Sequence, residues 1–147
     1  MCRVGDIILI YGAKDNGSWV GRHPFLVLED EKGIVRGTYE FDFVAALLSS
    51  NETEEKREKM LKYETNFPIA KGDKIDVINE EKNKDSFVAL DPIFYFSKDE
   101  VSYFKLCSLS EDIFNLVVEY IEELNSKGIT FRQVLENAKP INEANDD

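Results

Sequence analysis

One stretch of the chain sustains a helical apolar period. Ile113, Leu116, Val117, Tyr120, Ile121 and Leu124 recur at spacings that put them on one face of a helix from about Glu111 to Ser126. Its ends are marked as well. Ser110 stands at the N-cap, Glu111 and Asp112 suit the positive end of the helix dipole, Leu109 and Phe114 are spaced for a hydrophobic staple, and Lys127-Gly128 closes the element. A helix with one apolar face needs a surface to bury it on. The rest of the apolar sequence comes in short runs of strand type, so the helix is expected to cover a small β structure.

Those runs follow in order. Ile7 to Tyr11 is a continuous β-branched and aliphatic run, opened by Gly5-Asp6 and closed by Gly12. Phe25 to Leu28 is a second strand, bounded by Pro24 and a charged turn from Glu29 to Gly33. Tyr39-Glu40-Phe41-Asp42-Phe43 alternates aromatic and acidic, which turns Tyr39, Phe41 and Phe43 inward, and the run continues through Val44 to Leu48 without alternation. Ser49-Ser50-Asn51 ends it, with Ser49 and Glu52 spaced as a capping box for a following helix. That helix, Glu52 to Tyr63, is held by Glu52/Lys56, Glu55/Lys59 and Glu58/Lys62 pairs and has only Met60 and Leu61 to bury, so it reads as an exposed excursion. Lys74 to Ile78 and Ser86 to Leu90 are further strands, the latter ended by Asp91-Pro92. Ile93 to Phe96 and Val101 to Leu106 complete the β portion. Phe131 to Ala138 is expected to form one more short helix before a polar, acidic tail.

With 147 residues this organisation fits one domain over residues 1–128, followed by the short helix and flexible tail of 129–147. No apolar run approaches the ~18 residues of a membrane span, and the start lacks the features of a signal peptide. A cytoplasmic protein without membrane association is expected. Cys2 and Cys107 are far apart and supply neither a disulfide framework nor zinc-ligand spacing, and Cys107 is expected in the core. The net charge of -11 argues against a protein that holds long nucleic acid by its general field. Residues 111–147 account for -6 of it, which leaves room for a small nucleic-acid site nearer the front.

The stretch that concentrates chemistry is Gly17-Ser18-Trp19-Val20-Gly21-Arg22-His23-Pro24, a glycine-flanked loop running directly into the Phe25–Leu28 strand. Loops pinned to rigid strands are where binding and catalytic groups commonly lie. Arg22 and His23 stand at the strand's mouth, either as functional groups or as a surface cation and a strand-edge imidazole. Trp19 either packs the loop down or offers a stacking surface, and packing is favoured because a lone tryptophan is highly buried on average.

Val4-Gly5-Asp6-Ile7-Ile8, the loop with His23-Pro24-Phe25-Leu26-Val27-Leu28, Val44-Ala45-Ala46-Leu47-Leu48-Ser49 and Asp85-Ser86-Phe87-Val88-Ala89-Leu90-Asp91 together resemble the PemK/MazF family of toxin ribonucleases from toxin-antitoxin systems. The resemblance spans residues 4 to about 125. It implies a small SH3-like barrel in an α+β, mainly β chain, with an exposed helical insertion and the C-terminal amphipathic helix. It also implies a homodimer that is bound by an antitoxin protein and cleaves single-stranded RNA with no metal or other cofactor.

Carried onto this sequence, the family's catalytic arginine falls on His23, with Arg22 one position earlier. The catalytic threonine falls on Ser49 with a one-residue shift, and a carboxylate used by some members falls on Asp91. Ser18, Trp19 and Ser50 are then candidates for substrate contact. Ala89 stands where a second arginine is usual. Cleavage through the ribose 2′-hydroxyl needs a base, an acid and a donor for phosphate charge, and His23, Asp91, Arg22 and Ser49 include all three types. The alternative is a catalytically degenerate barrel that binds protein, or an acidic inhibitor that mimics nucleic acid.

Overall fold

The computed structural model describes residues 2–50 and 53–141. The strand-type runs form β1 (Asp6–Tyr11), β2 (Lys14–Asp15), β3 (Ser18–Trp19), β4 (His23–Arg36) and β5 (Tyr39–Ser50). After α1 (Glu54–Leu61) come β6 (Asn66–Ile69), β7 (Lys74–Ile75), β8 (Ser86–Phe96) and β9 (Ser102–Leu109), then α2 (Glu111–Ser126), β10 (Gln133–Val134) and β11 (Lys139–Pro140). The chain is mainly β with two helices. Its sheet runs β10-β8-β5-β4-β1-β9-β7, with β6 also on β8 and β11 on β5, and every pairing but β10 with β8 is antiparallel. The end strands share no ladder among the described residues, although β6 leads into β7 through the tight turn Lys71–Asp73.

β5 shows why the alternation fades after Phe43. Val44, Ala46 and Leu48 enter one core with Ile7, Leu26, Val88 and Leu90, while Phe43 and Ala45 enter a second with Ile8, Ile10, Phe25 and Phe96. A strand covered on both faces has no polar face to alternate with. Phe41 and Phe43 are both buried, yet they divide between the two cores. Opposite them the β4–β5 register shifts between Asp30 and Ile34, and a bulge of this kind bends and twists the strand pair. The second core is rich in aromatic contacts, with Phe25 meeting Phe94 and Phe96 edge-on at 5.1 and 5.4 Å.

α2 lies against the first core and occupies the residues its period indicated. Val117 and Leu124 are fully buried, and Ile113, Phe114, Tyr120 and Ile121 pack beside them. Leu116 is half-exposed at 48% and belongs to the helix flank rather than the seam. Its C-terminus is a Schellman closure, with Gly128 N–H donating to Asn125 and Ile129 N–H to Leu124. At the N-terminus the Ser110 hydroxyl makes no capping bond. No described helix is long and apolar enough to cross a membrane.

Several boundaries differ from the sequence reading. The charged segment Glu29–Gly33 is not a reversal; β4 continues through it as an exposed strand, and the chain turns at Gly37-Thr38 instead. Asp91-Pro92 does not end a strand, because β8 passes through it at a register shift between Ala46 and Leu47 of β5. Ser49 and Ser50 are the last residues of β5 rather than strand breakers. The α1 cap is Thr53, whose hydroxyl accepts from Lys56 N–H, and the Glu52 of the expected capping box lies outside the described residues. α1 buries nothing, as expected of an excursion. Residues 131–138 form no helix; they supply β10 and a route to β11, which add short strands to β8 and β5. Cys107 is buried, as is Cys2, and both are free thiols raised above the usual thiol range mainly by burial.

The core assignment carries a stability test. Phe25→Ala empties a fully buried site between two rings and should cost about 3–5 kcal/mol. Leu116→Ala should cost less than about 1 kcal/mol, because half of that side chain is already in water. Chemical denaturation of the two variants would check the difference, and equal losses would contradict the packing described.

Candidate functional site

Asn16-Gly17 is the turn dipeptide of a two-residue β-hairpin, and both residues take the positive φ that such a turn requires, 53° and 79°. The turn brings β2 against β3 with Lys14 opposite Trp19. What the sequence reading treated as a loop is thus a small hairpin, and Trp19 is 69% exposed on it. This overturns the expectation that Trp19 packs the loop down. Its ring is overlain by the Lys14 ammonium at 5.4 Å, a cation–π contact, and so presents its other parts to solvent.

The hairpin is held from the far end of the chain. Lys14 N–H donates to Asn137 Oδ1 at 2.8 Å, and Asn137 Nδ2 donates back to the Lys14 carbonyl at 2.9 Å, so one side-chain amide completes a ladder rung. Arg132 forms a fork on Asp15, at 2.8 and 2.6 Å, and Gly17 N–H donates to Glu136 Oε2 at 2.9 Å. Hydrogen bonds from Arg132 hold the Asp15 carboxyl below the usual carboxylate range and raise the Arg132 guanidinium in turn. Arg132 and Asn137 were not legible as site residues, since their roles depend on pairings more than a hundred residues away.

Beyond the hairpin, Arg22 is exposed with its guanidinium 5.8 Å from the Tyr11 ring centroid, and Tyr11 stacks on the exposed Phe104 at 6.0 Å. Tyr11, Gly12, Trp19 and Arg22 line an open cleft of about 610 Å³ together with Asp99 to Ser102, the turn that leads into β9 beside Tyr11. A second cleft of about 570 Å³ lies between α2 and the sheet, lined mainly by apolar side chains such as Leu28, Val44 and Ile121.

The remaining sequence-derived candidates divide. His23 is the first residue of β4, half-buried and paired with Ile10. The β4–β5 ladder ends at Phe25–Leu47, and His23 and Ser49 each lie two residues further out, so the register carries them to the same face at the sheet's end. Ser49 is half-buried and Ser50 exposed, and Ser18 is exposed on β3. Asp91 is not brought against His23. It sits in the β8 bulge opposite Ala46–Leu47, across the width of β5 and at least two residues along from the level of His23, so the two backbones are more than roughly 9–10 Å apart. One of its oxygens accepts from Arg132 N–H at 2.9 Å. That contact comes from the Arg132 backbone, while the Arg132 guanidinium is engaged by Asp15, and Ala89 supplies no cation. No family model matches the chain, and no curated protein matches it.

Two outcomes follow from the anchoring. Asn137 is only 3% exposed, so Asn137→Ala leaves both backbone groups of Lys14 without their partner and should cost about 1–3 kcal/mol in denaturation experiments. The Asp15–Arg132 fork has a definite pH sign. A depressed carboxyl stabilises the fold fully above its unfolded pKa of ~3.9 and loses that contribution as pH falls through its lower folded value. Emission from Trp19, the single tryptophan, should change below about pH 4 in the native protein, and Asp15→Asn should remove that change.

Proposed function

We propose that the protein acts on single-stranded RNA as a metal-independent endoribonuclease of the PemK/MazF toxin kind, its sheet a variant of the SH3-like barrel, working as a homodimer controlled by an antitoxin protein. The observation that carries the proposal is the juxtaposition at the start of β4. Arg22 borders a cleft with an exposed tryptophan and a half-buried tyrosine, and His23 and Ser49 share the adjoining sheet end. Unpaired RNA is bound by cationic groups that follow phosphate and by aromatic faces on which bases stack.

In the reaction, the ribose 2′-oxygen attacks the adjacent phosphorus, its proton passes to a base, and the departing 5′-oxygen receives a proton from an acid. The products are a 2′,3′-cyclic phosphate and a 5′-hydroxyl end. His23 is the proton-transfer group, as imidazole serves in either direction near neutral pH. Ser49 donates to phosphate oxygen, and Arg22 balances the phosphate charge. Asp91 retains one oxygen beyond the bond from Arg132, and on the far side of β5 it is too distant for a direct hydrogen bond to His23.

A specific observation favours the second reading, a degenerate barrel that binds without cutting. Asp91 already serves the backbone of Arg132, and the Arg132 guanidinium is neutralised by Asp15. Cleavage of unstructured RNA by purified protein in the presence of chelator separates the two. His23→Ala should lower the rate by about 10²–10⁴-fold without loss of folding, the range of a missing general acid or base. Arg22→Ala should weaken RNA binding and flatten its salt dependence. RNA of several sequences left intact by the native protein would select the reading of a degenerate barrel that binds protein.

A further inference from the structure

The geometry points to a guanine-selective base site in the cleft between the hairpin and the Asp99–Ser102 wall, in which Trp19 stacks an unpaired guanine, Asp99 or Glu100 receives its N1–H and N2–H groups, and Arg22 holds the attached phosphate. Each element is visible separately. Trp19 is the most exposed aromatic ring bordering the cleft, and it stands on a hairpin tied down by Arg132, Glu136 and Asn137, so its face is presented without having to be ordered on binding. Gly12 lies between the Trp19 ring and the Asp99–Ser102 turn, where a Cβ would come 3.7 Å from the ring and 3.9 Å from the Glu100 carbonyl oxygen. A side chain there would narrow the cleft at its base. It would also have to adopt a φ of +88°.

The charges select the occupant. Among the described residues Asp99 and Glu100 form no ion pair, and neither does Arg22, whose guanidinium instead lies over Tyr11. Two carboxylate residues and one cation without ion-pair partners, Asp99, Glu100 and Arg22, thus border the cleft. Guanine is the one common RNA base with two adjacent donors on its Watson–Crick edge, matched to the two oxygens of a carboxylate. Adenine and cytosine each place an acceptor beside the amino donor, and uracil places its single N–H between two carbonyls, so a carboxylate meets repulsion in all three. Arg22, beside Trp19 in the same cleft, supplies the phosphate contact that a bare base would not need.

The inference rests on the reading of the chain as an RNA-binding protein but not on cleavage. Because Trp19 is the only tryptophan, its fluorescence reports occupancy directly. Titration with GMP, AMP, CMP and UMP at low salt should give saturable quenching by GMP at concentrations at least about tenfold below the others. A hexanucleotide of 2′-O-methyluridine carrying one guanine should bind more tightly than GMP, and the all-uridine hexamer at least about tenfold more weakly than the guanine-bearing one. The double variant Asp99→Asn, Glu100→Gln should abolish the preference while retaining weak stacking. Trp19→Ala, followed by calorimetry, should weaken binding by roughly 10- to 100-fold, the range of one lost base stack. Equal quenching by all four nucleotides, or none, overturns the site. GMP binding that the oligonucleotide does not improve overturns its assignment to RNA in favour of a free nucleotide. RNA that is cut without any guanine-dependent quenching would sink this inference and leave the ribonuclease reading standing, whereas guanine-dependent binding without cutting would do the reverse.

Discussion

The side-chain amide of Asn137 is the contact on which the presentation of the candidate site depends. It is buried, and it completes both backbone bonds of Lys14, so its loss strands two polar groups as well as removing a link. The Arg132–Asp15 fork beside it is geometrically better, but both groups face water, where ion pairs contribute little. The amide therefore holds the hairpin, and the fork sets its lateral position. Through them the C-terminal segment governs where Trp19 stands, and Trp19 forms one side of the cleft beside Arg22.

That anchoring works because the sheet beneath it is stiff. β5 is buried on both faces and flanked by β4 and β8, and its small residues Ala45 and Ala46 let the two cores lie close on either side. α2 covers one core, and the second is closed partly by the root of the hairpin, since Ala13 is fully buried there with Val20 packed beside it. The hairpin is thus rooted in the core and clamped near its tip. An open cleft is tolerated at this end because it lies where strands terminate and costs no ladder hydrogen bonds.

Legibility in the sequence followed the range of the interactions. α2 is readable almost to the residue because its period and closing glycine are local, although Ser110 makes no capping bond, and β1 and the fading alternation of β5 are readable for the same reason. The Asn16-Gly17 hairpin had a local mark too, the strongest short-range one known for such turns, and it went unused because the flanking strands are only two residues long. The charges from Glu29 suggest a turn by composition, whereas β4 continues and simply becomes solvent-exposed there. The spacing of Val134 and Ala138 matches a helix, but backbone pairing with β8 and β5 decides otherwise. At the site, Arg22, His23 and Trp19 were found from local pattern. Tyr11, Arg132, Asn137 and the carboxylates of the Asp99–Ser102 turn were missed, because only the fold brings them to the same place.

On the proposed reading, single-stranded RNA enters the cleft beneath the clamped hairpin and continues onto the sheet end that carries His23 and Ser49. The most direct measurement is a ¹H–¹⁵N NMR titration with a non-cleavable, single-stranded 2′-O-methyl oligonucleotide. The account predicts progressive shifts at the Trp19 indole, at the amides of Tyr11, Gly12 and Arg22, and along Asp99 to Ser102. Shifts confined to Leu28, Ile121 and Phe131 around the second cleft, or a spectrum left unchanged at saturating oligonucleotide, would contradict it.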